Sequence, residues 1–200
     1  GNIMSKGIPA IILAAGASSR LGQAKALVNI GDTNLLGLAY RRLQHAGCSP
    51  IVVVTSSELA FDCLTSVPGA TIVINKSPQD GRTGSIQCGL MSLCGDHGRT
   101  PRRVLIAPVD RPGWNVSMVK QLMESKNSCK PVSDNRSGHP VILVDGDIED
   151  VLASYPDEPL RDIVSFDSVQ VDYQLISLNI DTENDLQLLF DNEQTLLKND

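Results

Sequence analysis

Apolar residues cluster in two ways along this chain, and their alternation predicts the architecture. Unbroken apolar runs at 8–13, 51–55, 70–74 and 104–107 are short and rich in β-branched residues, which predicts strands buried on both faces. Leu35, Leu36, Ala39, Tyr40 and Leu43 instead recur at helical spacing, giving a helix that Asp32 or Thr33 can cap and that Gly47 stops. A second helix is expected over 58–65. A third carries Ile86, Leu90 and Leu93 on one face, and a fourth runs over 114–125.

Strand, helix, strand, helix, strand is the order of a parallel sheet with right-handed crossovers. From residue 130 the pattern shifts to short strands at 141–144, 169–171 and 175–178, separated by an acidic helix at 147–155 and an apolar turn at 160–164. A closing helix over 182–197 offers Leu186, Leu189 and Phe190 as its buried face. The fold class read from this is α/β: a Rossmann-like, mostly parallel sheet with helices on both faces, in a single domain. Residues 8–127 would form a nucleotide-binding half, and 128–200 an acceptor-binding half with the closing helix.

Three polar loops, at 14–25, 75–85 and 108–113, follow the carboxyl ends of predicted strands. Open parallel sheets bind ligands beyond those ends, where the strand order reverses. A 3-2-1-4 order of the first four strands would turn Gly16 and Asp110 toward one cleft.

Composition narrows the ligand. Of the 200 residues 42% are apolar, yet no apolar run approaches the roughly 20 residues of a membrane span, so a soluble protein without a membrane partner is expected. A net charge of -6 with dispersed Lys and Arg argues against a nucleic-acid surface. Five widely spaced cysteines, with no Cys-x-x-Cys pair, read as reduced thiols in a cytoplasmic protein. Lys6 followed by the apolar stretch 8–15 also fits a secretory signal, but that stretch is at the short limit, and Arg20 and Lys25 would then have no purpose.

The first loop holds the strongest chemical signal. Its small residues at 14–19 leave backbone N–H groups open to an anion, and Arg20 and Lys25 add positive charge, a combination suited to a polyphosphate. A P-loop is excluded because Gly22 is followed by Gln23 and the lysine arrives only at Lys25. Ser18 and Leu21 stand where a dinucleotide fingerprint needs its second and third glycines. Asp110, between Pro108 and Pro112, can ligate a hard cation or cap the helix that follows. Asp181 is the second candidate ligand or a cap of the last helix. Ser85 and Asn75 can line a pocket or serve as cap and turn residues.

Leu13-Ala14-Ala15-Gly16-x-Ser18-x-Arg20-Leu21-Gly22-x-x-Lys25, directly after an N-terminal strand, resembles the signature loop of the MobA-like NTP transferases, the molybdenum-cofactor cytidylyl- and guanylyltransferases. Gly81-x-x-x-Ser85-Ile86, the Asp110 turn, Gly138-His139-Pro140 and the segment Asn179-Ile180-Asp181-Thr182 extend the resemblance in order along the chain. It implies a nucleotide-diphospho-sugar transferase-like fold, an Mg²⁺-bound NTP, and transfer of NMP onto the phosphate of a small acceptor such as molybdopterin. Catalytic roles fall to Arg20, Lys25 and Asp110, and nucleotide contacts to Leu13, Ala14, Ala15, Gly16, Ser18, Ser19, Asn75 and Ser85. Asp110 and Asp181 are the implied metal ligands, with His139 and Asn179 facing the acceptor. Leu13-Ala14-Ala15-Gly16 resembles the cytidylyl branch and favours CTP over GTP, with a molybdoenzyme or its chaperone as the partner that takes the product. The chain departs from that branch at Ala24, at Val109 and Arg111 around Asp110, and at 159–162, where its Gly-Asp-x-Gly-Ala-Arg element is missing. Alternatives are transfer to a sugar phosphate, an alditol phosphate or phosphocholine, or a nucleotide-sensing domain without turnover.

Overall fold

A computed structural model describes residues 7–16 and 20–198. Ala10–Leu13 (β1) is wholly buried and lies between two parallel neighbours, Ile51–Thr55 (β4) and Arg103–Pro108 (β6). Thr71–Ile74 (β5) adds to β4, again parallel. Two-residue strands Asn29–Ile30 (β2) and Thr33–Asn34 (β3) form a small separate hairpin. Beyond β6 the direction reverses: Val141–Val144 (β9) pairs antiparallel with β6 and with Cys129–Ser133 (β7). Arg136–Ser137 (β8) folds back on β7, and Asp167–Gln170 (β10) runs parallel to β7 at the far edge. The order β5-β4-β1-β6 is the 3-2-1-4 arrangement expected from the sequence, so the reversal point falls between β1 and β6.

Alternation along β1 splits the core. Ala10 and Ile12 face one layer, containing Leu35–His45 (α1), Val116–Met123 (α4) and Trp114, closed by Glu183–Asp191 (α7) and Glu193–Leu196 (α8). Ile11 and Leu13 face the other, containing Arg82–Leu93 (α3), Gly146–Ala153 (α5) and the short turn Leu160–Ile163 (α6). Ala60–Ser66 (α2) joins β4 to β5. At Gly89 α3 packs tightly on the sheet: a Cβ there would come within 2.8 Å of Ile11. Among the described residues no helix is long and apolar enough to cross a membrane. The five cysteines are free, and burial pushes the Cys48 thiol up to about 12.

Four expectations are corrected. Asn34 caps α1, accepting from Gly37 N–H at 2.8 Å, so neither Asp32 nor Thr33 does. Residues 174–177 form a turn instead of a strand, and the missed strand is β7, whose Lys130 and Pro131 break the apolar run. The last helix divides at Asn192 into α7 and α8. Leu189 is buried as expected, but Phe190 is 50% exposed because it sits on the next residue of the helix, off the buried stripe.

Candidate active site

The exit of β1 is fixed before any charge is placed. Ala14 N–H donates to the Val54 carbonyl at 2.8 Å, and the Thr55 hydroxyl donates to the Ala14 carbonyl at 3.0 Å. Leu13, Ala15 and Gly16 then line a cleft of about 190 Å³ together with Lys25, Pro78, Arg82, Ser85, Val109 and Asp110. Gly16 is exposed, and a Cβ there would meet nothing within 4 Å. Ser18 and Ser19, the other small polar residues expected to hold phosphate, lie outside the described residues.

Among the described residues five charged side chains are linked by ion pairs here, and three of them, Lys25, Arg82 and Asp110, line the cleft. Lys25 Nζ stands 3.4 Å from Asp110 Oδ2 and 3.4 Å from Asp181 Oδ1, bridging the two carboxylates. Arg20 Nη1 donates to Asp181 Oδ2 at 2.8 Å. Arg82 Nη2 reaches both Asp110 oxygens, at 3.4 and 3.2 Å. Backbone pairing locks the two acidic segments together, since Ile180 N–H donates to the Asp110 carbonyl at 2.8 Å. Three cations against two carboxylates leave the cluster one positive charge in excess, which favours an anionic ligand.

The capping alternatives for both aspartates fail on geometry. Asn115 caps α4, accepting from Met118 N–H at 2.9 Å, which leaves the Asp110 carboxylate to the cleft. Thr182 caps α7 in a capping box with Asp185, so Asp181 is likewise released. Asp185 also accepts from Asp181 N–H at 2.9 Å and holds the backbone of that segment. Burial raises the Asp185 carboxyl, but bonds from the Thr182 and Asp181 N–H groups and the Thr182 hydroxyl outweigh it and bring it below its ordinary value. A carboxyl depressed in the fold stabilises above its unfolded pKa and loses that contribution as pH falls through its folded one. Asp185→Asn is therefore expected to cost about 1 kcal/mol near neutrality. Denaturant titration should find that difference shrinking as the solution is acidified.

Ser85 and Asn75 are both buried and bonded to each other, Asn75 Nδ2 donating to Ser85 Oγ at 3.0 Å. Asn75 Oδ1 also accepts from Ser77 N–H, the turn contact the sequence allowed. Asn179 is exposed beside the Asp110 turn. His139 enters from the antiparallel half; burial first, then the nearby Arg111 and Arg82, depress its pKa to about 3 and hold it neutral. Its Nδ1 is buried without a hydrogen-bond partner among the described residues.

Sequence reasoning did not single out Arg82 or Arg111. Arg82 is the first residue of α3, where a cation opposes the helix dipole and so needs a carboxylate or an anion nearby. That mismatch was the available signal. It becomes readable only once the helix start is known, because Gly81 carries φ +134 and a side chain there would run into the Pro156 carbonyl. Arg111 donates to the Ile176 carbonyl at 3.2 Å and to Ser137 O at 3.4 Å, tying the Asp110 turn to the antiparallel half.

For a divalent ion the donor set fits a hard cation that keeps part of its shell for substrate. Asp110 and Asp181 supply two carboxylates joined through one lysine, whereas no group of three or more His, Cys, Asp or Glu gathers among the described residues. Mg²⁺ commonly takes one or two protein carboxylates plus water and phosphate oxygens.

The chain is similar to known proteins in sequence and in fold. The family model described as the MobA-like NTP transferase domain matches residues 10–171. A curated relative, nicotine blue oxidoreductase from Paenarthrobacter nicotinovorans, is 29% identical over 149 residues, spanning 68% of this chain and 70% of its own. Among solved structures, the Rv0371c homologue from Mycobacterium sp. strain JC1 superposes with a TM-score of 0.78 at 22% identity, covering 94% of this chain and 98% of that one. Rv0371C of Mycobacterium tuberculosis H37Rv, in complex with manganese, gives 0.75 at 17% identity over 94% and 100%. At such identities the two structures speak for the fold alone.

Proposed function

The chain belongs to the MobA-like NTP transferase family, and from that premise we propose that it is an Mg²⁺-dependent cytidylyltransferase acting on a molybdopterin-type acceptor phosphate. The observation that carries this reading is the ion-pair cluster of Lys25, Arg20 and Arg82 with Asp110 and Asp181, which reaches into the cleft through Lys25, Arg82 and Asp110. An acceptor phosphate oxygen forms a bond to the α-phosphorus of CTP, and the α–β bridging P–O bond breaks with its electron pair leaving on pyrophosphate. No general base is required, because the attacking phosphate is already ionised. Positioning and charge neutralisation therefore supply most of the acceleration.

Arg20 and Lys25, with N–H groups of the loop after β1, would hold the triphosphate. Asp110 and Asp181 would hold the metal, which when bound neutralises phosphate charge and polarises the phosphorus. Leu13, Ala14, Ala15, Gly16, Asn75 and Ser85 would bound the nucleoside side of the cleft. Neutral His139 and exposed Asn179 would face the acceptor. The choice of CTP rests on the Leu13-Ala14-Ala15-Gly16 sequence, and a molybdoenzyme or its chaperone in the cytoplasm would take the product.

Pyrophosphate release across a panel of NTPs and phosphorylated acceptors tests this. The reading expects CTP with molybdopterin to exceed every other pair and to require Mg²⁺. A sugar phosphate, alditol phosphate or phosphocholine as the best acceptor would keep the chemistry and replace the substrate. Tight CTP binding with no turnover on any acceptor would favour a nucleotide sensor. A second reading comes from the relative named an oxidoreductase. NADH or NADPH oxidation with a dye acceptor, without pyrophosphate release, would replace transfer by reduction.

A further inference from the structure

Among the described residues Asp110 pairs with two cations, and they come from different elements. Lys25 comes from the segment following the β1 loop, with its side chain only 15% exposed. Arg82 comes from the start of α3, with its side chain 50% exposed. The two residues after Arg82 are bonded to Pro156 and Glu158, so Arg82 stands where the start of α3 meets the later part of the chain. A metal bound to Asp110 needs carboxylate oxygens that Arg82 now contacts. Lys25 retains a second partner in Asp181 if it loses Asp110, but no other carboxylate pairs with Arg82 among the described residues.

Resting on the transferase reading, we propose that Arg82 is the acceptor-phosphate residue, parked on Asp110 until metal and nucleotide displace it. The backbone beneath it stays put during such an exchange. Gly84 N–H donates to the Pro156 carbonyl at 3.1 Å and the Thr83 hydroxyl to the Glu158 carbonyl at 2.6 Å, so the helix start is anchored while the side chain alone swings. A guanidinium is opposite in charge to a phosphate monoester and offers it a two-pronged donor geometry. The consequence is compulsory order, because the acceptor site gains its arginine only after the nucleotide site has filled.

Inorganic phosphate is the probe for the acceptor group, titrated into the protein alone and into the protein carrying Mg²⁺ and α,β-methylene-CTP. Phosphate is expected to bind at least about tenfold more tightly with the nucleotide analogue present, and Arg82→Gln to lose that gain. Arg82→Lys should recover part of it. Arg82→Gln should bind Mg²⁺ with the analogue no more weakly than the parent, and should bind Mn²⁺ alone more tightly, because a competing cation is gone. Weaker analogue binding in Arg82→Gln with phosphate binding unchanged would overturn the proposal and make Arg82 a triphosphate residue. Phosphate affinity indifferent to the analogue, or Mn²⁺ affinity unchanged by the substitution, would overturn it as well. If the parent binds no nucleotide at all, the transferase reading fails, and the Mn²⁺ comparison still decides whether Arg82 competes for Asp110.

Discussion

Asp110→Asn is expected to lower kcat/KM for nucleotidyl transfer by about a thousandfold or more, with the protein still folded. The substitution keeps the shape of the side chain and removes the charge that a hard cation requires. The fold has little stake in that charge. Asn115, not Asp110, caps α4, and the Asp110 contact with Ile180 N–H is made by its backbone carbonyl. Of the two cations released, Lys25 retains Asp181 and half-exposed Arg82 can turn to water, so the stability cost should stay below about 3 kcal/mol. Steady-state pyrophosphate release and a denaturant titration on the same preparation separate the two effects. Turnover close to the parent's in a folded Asp110→Asn protein would remove Asp110 from the metal site.

The parts legible from sequence were those written in consecutive residues. β1, β4 and β6 are apolar runs, and their parallel pairing follows from being buried on both faces. The loop after β1 is legible because small residues and fixed cations lie within a dozen positions of each other. Strand order then brings Asp110 to the same cleft without any further signal. β7 was hidden because Lys130 and Pro131 interrupt it, and its strand character comes from lying between β9 and β10. Arg82 was hidden for a related reason: its meaning depends on a carboxylate 28 positions later and on the exact start of α3. A pair of that kind is set by topology, and one residue's chemistry does not announce the other's.

Lys25→Ala carries the other large effect, and it should dissociate metal binding from turnover. In the parent, Lys25 Nζ is shared by Asp110 and Asp181 at 3.4 Å each, so one ammonium neutralises both carboxylates before any substrate arrives. Phosphate oxygens entering the cleft would take over that ammonium and leave the carboxylates to the metal. Removing it strips a cation from the triphosphate and frees the two carboxylates from a cation that competes with a divalent ion for them. The expected result is a fall in kcat/KM of about a hundred- to a thousandfold. Mn²⁺ affinity should hold or rise. Arg20, 70% exposed and among the described residues paired to Asp181 alone, is too peripheral to substitute. Calorimetric Mn²⁺ titration beside nucleotide kinetics reads both outcomes. Mn²⁺ affinity collapsing together with activity would mean that Lys25 shapes the carboxylate pair and does not serve the phosphates.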